Sequence, residues 1–154
     1  MSIEPALSPD DLARAAADAM WNEDRSSQGL GIEMLDVGAG RATLAMTVLA
    51  NMVNGHSITH GGYIFTLADS AFAFACNSYN ERAVAAQCSI SFVQPSRLGD
   101  RLVATAREIL RSGRSGIYDV TVTVNGATIA EFRGHSRTIG GQLAALADTS
   151  ANSR

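Results

Sequence analysis

One stretch, Asn54 to Asn77 (NGHSITHGGYIFTLADSAFAFACN), constrains the fold more than any other. A polar loop, Asn54 to Gly62, runs directly into an apolar segment of helical character, and that segment carries one carboxylate, Asp69. A loop that ends on glycines at a helix start presents free backbone N–H groups at the positive end of the helix dipole. Such a place suits an anion, a phosphate or the oxygen of a polarised carbonyl. The helical neighbours of Asp69 are Phe65, Phe72, Ala73 and Cys76, so it lies on or beside an apolar stripe rather than a solvated face. A carboxylate there is destabilising unless something uses it. Two readings are open: a helix carboxylate satisfied by backbone N–H groups or water, or a catalytic group.

Geometry narrows the second reading. Gly61 and Asp69 lie eight residues apart, which on one helix is roughly 12 Å along the axis. An oxyanion donor and a catalytic carboxylate must each come within about 3 Å of one reacting centre. One chain cannot easily supply both. Two copies of the helix, antiparallel across a two-fold axis, would set Gly61 of one against Asp69 of the other, so a catalytic site here is expected between subunits.

The flanking segments suggest what holds this stretch. Ser8-Pro9-Asp10-Asp11 reads as a helix start, with Ser as N-cap and Pro at the first position, the helix running to about Asn22. Arg25 to Gly29 reads as a polar turn, Gly31 to Val37 as a strand, and Arg41 to Val48 as its hairpin partner with Ala42, Leu44, Met46 and Val48 on one face. After the central helix, Val84 to Val93 and Asp100 to Leu110 read as strands, and Arg111 to Gly116 as a loop. Asn125-Gly126 is a strong type I′ hairpin signal between Ile117–Val124 and Thr128–Arg137. The expected fold is α+β, one long central helix against five or six mostly antiparallel strands, with Ala68, Ala71 and Ala75 letting the sheet approach the helix closely. The expected organisation is an N-terminal helical extension over 1–24, one domain over 25–141, and a mobile tail over 142–154.

Composition closes off other classes. With 154 residues and 46% hydrophobic content, one domain with a sizeable core is expected. The formal charge of −3 gives no reason to expect nucleic acid, and no apolar run reaches membrane-spanning length. The N-terminus lacks the basic and apolar regions of a secretory signal, so the cytoplasm is the expected compartment. Cys76 and Cys88 make neither a zinc pattern nor a disulfide framework, and no metal is expected. All 12 basic residues are Arg, so any phosphate site must use guanidinium groups. Arg111, Gly113 and Arg114, together with Arg133 and Arg137, are the candidates. The alternative for them is an ordinary exposed loop.

His60-Gly61-Gly62 following Asn54, then Leu67-Ala68-Asp69, resembles the signature of hotdog-fold acyl-CoA thioesterases. Asn54-Gly55-His56, the run Ala71 to Ser78, and the segment from Phe132-Arg133-Gly134 to Gly140-Gly141 resemble the PaaI branch, the thioesterases of phenylacetate degradation. The similarity spans about residues 20 to 141. It implies that the central helix is the core of a hotdog fold and that Asp69 is the catalytic carboxylate, acting as nucleophile or as general base. The Gly61 N–H would polarise the thioester carbonyl. His60 would orient the loop or the thioester sulfur, and Asn54 would hold the loop, the carbonyl or the attacking water. Gly62, Tyr63 and Phe72, with Phe74, would lie against substrate, the aromatic residues as walls for a ring; the alternative for aromatic residues on a helix is core packing.

The resemblance further implies hydrolysis of aryl-acetyl-CoA, such as phenylacetyl-CoA and its hydroxylated forms, by a homodimer that pairs into a tetramer. Coenzyme A would enter only as part of the substrate, with no further cofactor. Related thioesterases place a Ser or Thr from the following strand near the water. The matching stretch here is Val84 to Ser89, VAAQCS, so that helper is expected to be missing or supplied by Thr66 or Ser70. The alternatives are a thioesterase of another acyl class (medium-chain or benzoyl-type) and a non-catalytic acyl-CoA-binding module.

Overall fold

Residues 5–146 are described by a computed structural model. Ser8 caps α1 (Pro9–Glu23), its Oγ accepting the Asp11 N–H at 3.1 Å, and α1 buries Ala13, Ala16 and Ala17. The expected polar turn after it is a short helix, α2 (Arg25–Gly29), because Asp24 Oδ1 accepts the Ser27 N–H at 3.0 Å and satisfies the helix start. Two strands follow, β1 (Glu33–Gly38) and β2 (Arg41–Thr47), then the central helix α3 (Gly61–Cys76). Four more complete the chain: β3 (Ala83–Phe92), β4 (Arg101–Ser112), β5 (Ser115–Val124) and β6 (Ala127–Thr138).

All six strands form one antiparallel sheet in the order β1-β2-β4-β5-β6-β3. The β5–β6 turn has positive φ at both Asn125 (49°) and Gly126 (81°), as a type I′ turn requires. The expected loop over Arg111 to Gly116 is mostly strand. Arg111 pairs with Gly116 and Ser112 with Ser115, leaving Gly113 and Arg114 as the turn, with φ +58° at Gly113. Arg and Ser read as loop residues, but a ladder asks only for backbone groups, and β5 supplies them.

The sheet wraps α3 on one face. Ala68, Ala71 and Ala75 are fully buried, so the helix backbone lies close to the strands, and Ala42, Leu44 and Met46 of β2 join the same core. Phe72 corrects its expected role as a substrate wall. It is 1% exposed, with ring centroids 5.7 Å from Tyr118 and 5.8 Å from Phe132. Gly134 leaves the space it fills: a Cβ there would stand 2.7 Å from the Phe72 ring. Phe74 is likewise buried, against Trp21 of α1. Each such ring contributes about 1.5–3 kcal/mol of burial. They hold the helix in the sheet rather than a ligand against the helix.

The start of the expected mobile tail is tied down, since Asn80 Oδ1 accepts the N–H groups of Leu143 (3.2 Å) and Ala144 (2.8 Å). The remainder of that tail, 147–154, lies outside the described residues. No helix among the described residues is long and apolar enough to cross a membrane.

Candidate active site

The loop before α3 is built on Asn54. Its side-chain Oδ1 accepts the N–H of His56 at 2.9 Å and of Ile58 at 3.4 Å, an Asx-type turn that leaves the Nδ2 donors without a partner among the described residues. Ser57, at φ +61°, completes the turn. The loop is then clamped from outside: Thr59 donates its N–H to the Ser96 carbonyl (2.8 Å), and the two hydroxyls share a buried 2.7 Å bond. His60 donates its N–H to the Met52 carbonyl at 2.8 Å.

His60 is the N-cap of α3, and its Nδ1 accepts the Gly62 N–H at 2.9 Å. An acceptor at Nδ1 assigns the proton of the neutral ring to Nε2. The ring is exposed and edge-on to Tyr63, at 6.1 Å, so it can offer an Nε2–H donor to a ligand. The same bond separates the two glycines. The Gly62 N–H is taken, and the Gly61 N–H, one residue earlier, has no acceptor among the described residues. It opens on a cleft of about 530 Å³ lined by Asn54, Ile58, Thr59, Gly61, Ile64, Phe92, Val93, Gln94, Pro95 and Ser96. Phe92, 52% exposed, lies over the helix start, its ring edge 2.8 Å from where a Gly61 Cβ would stand.

Asp69 does not line that cleft. It sits two turns along α3, half-buried beneath the middle of β3, where its Oδ1 takes the Cys88 thiol at 3.8 Å. Burial raises its pKa above the ordinary carboxylate value, and the thiol bond only partly offsets this. The result is a carboxylate more basic than usual, with one oxygen held and the other, Oδ2, unbonded among the described residues. Thr66 and Ser70, the expected water helpers, are engaged elsewhere. Thr66 Oγ1 donates to the Gly62 carbonyl at 2.9 Å, and Ser70 shares a 3.1 Å bond with Ser27.

Residues 56–131 match the model of the thioesterase superfamily. The acyl-coenzyme A thioesterase PaaI of Escherichia coli is 44% identical over 128 residues, 82% of this chain and 91% of that one. The chain belongs to the PaaI-type hotdog thioesterases. The solved structure of the E. coli PaaI protein, from the phenylacetic acid degradation operon, superposes with a TM-score of 0.86 at 43% identity, covering 88% of this chain and 99% of that chain. The phenylacetic acid degradation protein PaaI of Thermus thermophilus, solved as a point mutant, gives 0.74 at 35% identity over 75% and 100%. A Streptococcus mutans protein bound to acetyl CoA gives 0.70 at 28% identity, covering 72% and 90%. Membership makes this chain a thioester hydrolase with the hotdog fold.

In this PaaI-type chain the arginines expected to meet phosphates have separate surroundings. Arg133 pairs with Asp119 through two bonds of 2.6 and 2.8 Å on the outer face of the sheet, so its guanidinium is already occupied. Arg114 donates to the Thr138 carbonyl at 2.8 and 3.2 Å, and Arg111 lies 3.5 Å over the Tyr79 ring. Arg137 is exposed and pairs in register with Ser115 of β5 and Val84 of β3. Arg111, Gly113, Arg114 and Arg137 thus share the end of the sheet opposite their own Gly61 cleft, while Arg133 stands apart. Phe92 and the Thr59–Ser96 clamp were not anticipated, and the Val84–Ser89 stretch was expected to supply no helper where Cys88 in fact contacts Asp69. These groups lie 19 to 37 residues away in sequence from their partners, and no local pattern marks the contacts.

Proposed function

We propose that this chain hydrolyses aryl-acetyl-CoA thioesters, phenylacetyl-CoA and its hydroxylated forms, to the free acid and coenzyme A. It does so in the cytoplasm as a homodimer, paired further into a tetramer, and it needs no cofactor. The observation that carries the reading is the division of labour along α3: an open Gly61 N–H on an apolar cleft, and a basic Asp69 about 12 Å away. The relatives support it, one named for acyl-CoA hydrolysis and another bound to acetyl CoA.

The dimer axis follows from the same contacts. Gly61 lies by Phe92, and Asp69 by Cys88, so α3 runs antiparallel to β3 and the midpoint of the pair falls at Ile90. Among the described residues β3 is an edge strand paired only with β6, with Val84, Phe92 and Val93 exposed beside or on it. A long unpaired apolar edge is a template for a second strand. A two-fold axis near Ile90 joins the two β3 edges antiparallel and brings Gly61 of each chain to the partner's Asp69. It also carries the end of the sheet that bears Arg111, Arg114 and Arg137 toward the partner's cleft, where the nucleotide phosphates of coenzyme A would lie.

In that site the Gly61 N–H receives the thioester oxygen as it gains charge. Asp69 takes a proton from water, whose oxygen attacks the carbonyl carbon, or attacks it directly to give a mixed anhydride that water then opens. In either route the C–S bond breaks and coenzyme A leaves as a thiolate, with the Nε2–H of His60 oriented to donate to its sulfur. Asn54 Nδ2 is free to hold the carbonyl or the water. Tyr63 stands beside His60, and the Phe92 ring offers an aryl group an aromatic face.

Steady-state hydrolysis of phenylacetyl-CoA, hydroxylated phenylacetyl-CoA, benzoyl-CoA and straight-chain acyl-CoAs tests the reading. The expected result is the highest kcat/KM for the phenylacetyl group. A straight-chain or benzoyl optimum overturns the substrate assignment, and no turnover of any thioester overturns the enzymatic one.

A further inference from the structure

The thiol of Cys88 is the one side-chain partner of Asp69 among the described residues. We propose that Cys88 is a positioning residue for catalysis: its S–H holds Asp69 Oδ1 so that Oδ2 alone faces the reacting centre. This rests on Asp69 being the catalytic carboxylate. The position of the thiol supports it first. β3 brings Cys88 over α3 from a strand whose neighbours Gln87 and Ser89 are exposed on the other face, and it points at the carboxylate from 3.8 Å. Elimination supports it second. The two hydroxyls on the same helix within a turn of Asp69, Thr66 and Ser70, bond to the Gly62 carbonyl and to Ser27. Neither makes a hydrogen bond to the carboxylate.

The state of the thiol fits a donor and not a nucleophile. Burial and the charge of Asp69 push its pKa up to about 11, so it stays protonated at neutral pH. The titratable groups facing Asp69 are Cys88 from β3 and Cys76 from its own helix, the latter also a thiol, buried and raised to about 12. In the proposed dimer, His60 of the partner subunit would join them. Removing the Cys88 donor leaves desolvation unopposed at Asp69, so the carboxylate protonates at higher pH.

The test has two arms. In pH–rate profiles, Cys88→Ala is expected to move the acid limb of kcat/KM to higher pH and to lower kcat about tenfold at unchanged KM, the loss of one hydrogen bond to a charged group. Independently of turnover, the infrared S–H stretch of Cys88, isolated by subtracting the Cys88→Ala spectrum, is expected to shift as Asp69 protonates. In Asp69→Asn it is expected to be insensitive to pH. Profiles of wild type and Cys88→Ala that superimpose, or an S–H band indifferent to pH in wild type, overturn the proposal. Because the band is read without substrate, a protein that hydrolyses no thioester still shows whether the two groups are coupled.

Discussion

Asp69→Asn is expected to lower kcat by about a thousandfold or more while KM changes little, since the group lost acts on the reacting atoms and not on binding. Asn matches the shape of Asp and leaves the packing of α3 unchanged, so a loss of turnover cannot be assigned to unfolding. Stability sharpens the point. The folded-state pKa of Asp69 is raised by burial, so the native protein binds this proton more tightly than the unfolded chain. Ionised Asp69 therefore weakens the fold at neutral pH, and the penalty is relieved as pH falls through the raised pKa. Asn carries no charge to desolvate, and the variant is expected to melt at the same temperature as wild type or higher. A dead, equally stable variant is the signature of a group kept for chemistry. Activity within a few-fold of wild type would show that Asp69 is a structural carboxylate.

Ile90→Arg is expected to have a large effect by another route. Two guanidinium groups facing each other across the proposed axis repel and keep the β3 edges apart. The variant is expected to elute as a monomer and to lose at least about a hundredfold in kcat/KM, because neither chain alone brings an oxyanion donor to its own Asp69. Ile90 also packs on the edge of the core, so Ile90→Ala serves as the control. It removes the same packing without the charge, and is expected to remain a dimer with most of its activity. A monomeric Ile90→Arg that keeps wild-type turnover would mean that each chain holds a complete site.

Local chemistry made much of this legible in advance. Ser8-Pro9 starts a helix because capping acts within one turn, Asn125-Gly126 turns a hairpin because its backbone conformations are intrinsic to those residues, and His60-Gly61-Gly62 opens α3 with the Gly61 N–H left free at the helix start. The parts that escaped depend on what lies across the fold. Arg111 and Ser112 are strand because β5 lies beside them. Phe72 is core because Gly134, 62 residues later, leaves it room. Arg133 is withdrawn from phosphate binding by Asp119 on the neighbouring strand, and Asp69 meets its thiol only when β3 closes over the helix. A helical pattern tells which residues share a face, not what that face will meet.

That each site takes Gly61 from one chain and Asp69 from the other is tested most directly by a hybrid dimer. It pairs one Asp69→Asn chain with one Gly61→Val chain, differently tagged and purified through both tags. Each parent homodimer is expected to be inactive, the second because a branched side chain at position 61 fills the cleft beside its own N–H, where the thioester oxygen would sit, and pushes against the Phe92 ring. In the hybrid, one site combines both lesions and the other combines intact Asp69 with intact Gly61. The expected result is about half of wild-type turnover per hybrid dimer. A hybrid as inactive as its parents would contradict the shared site.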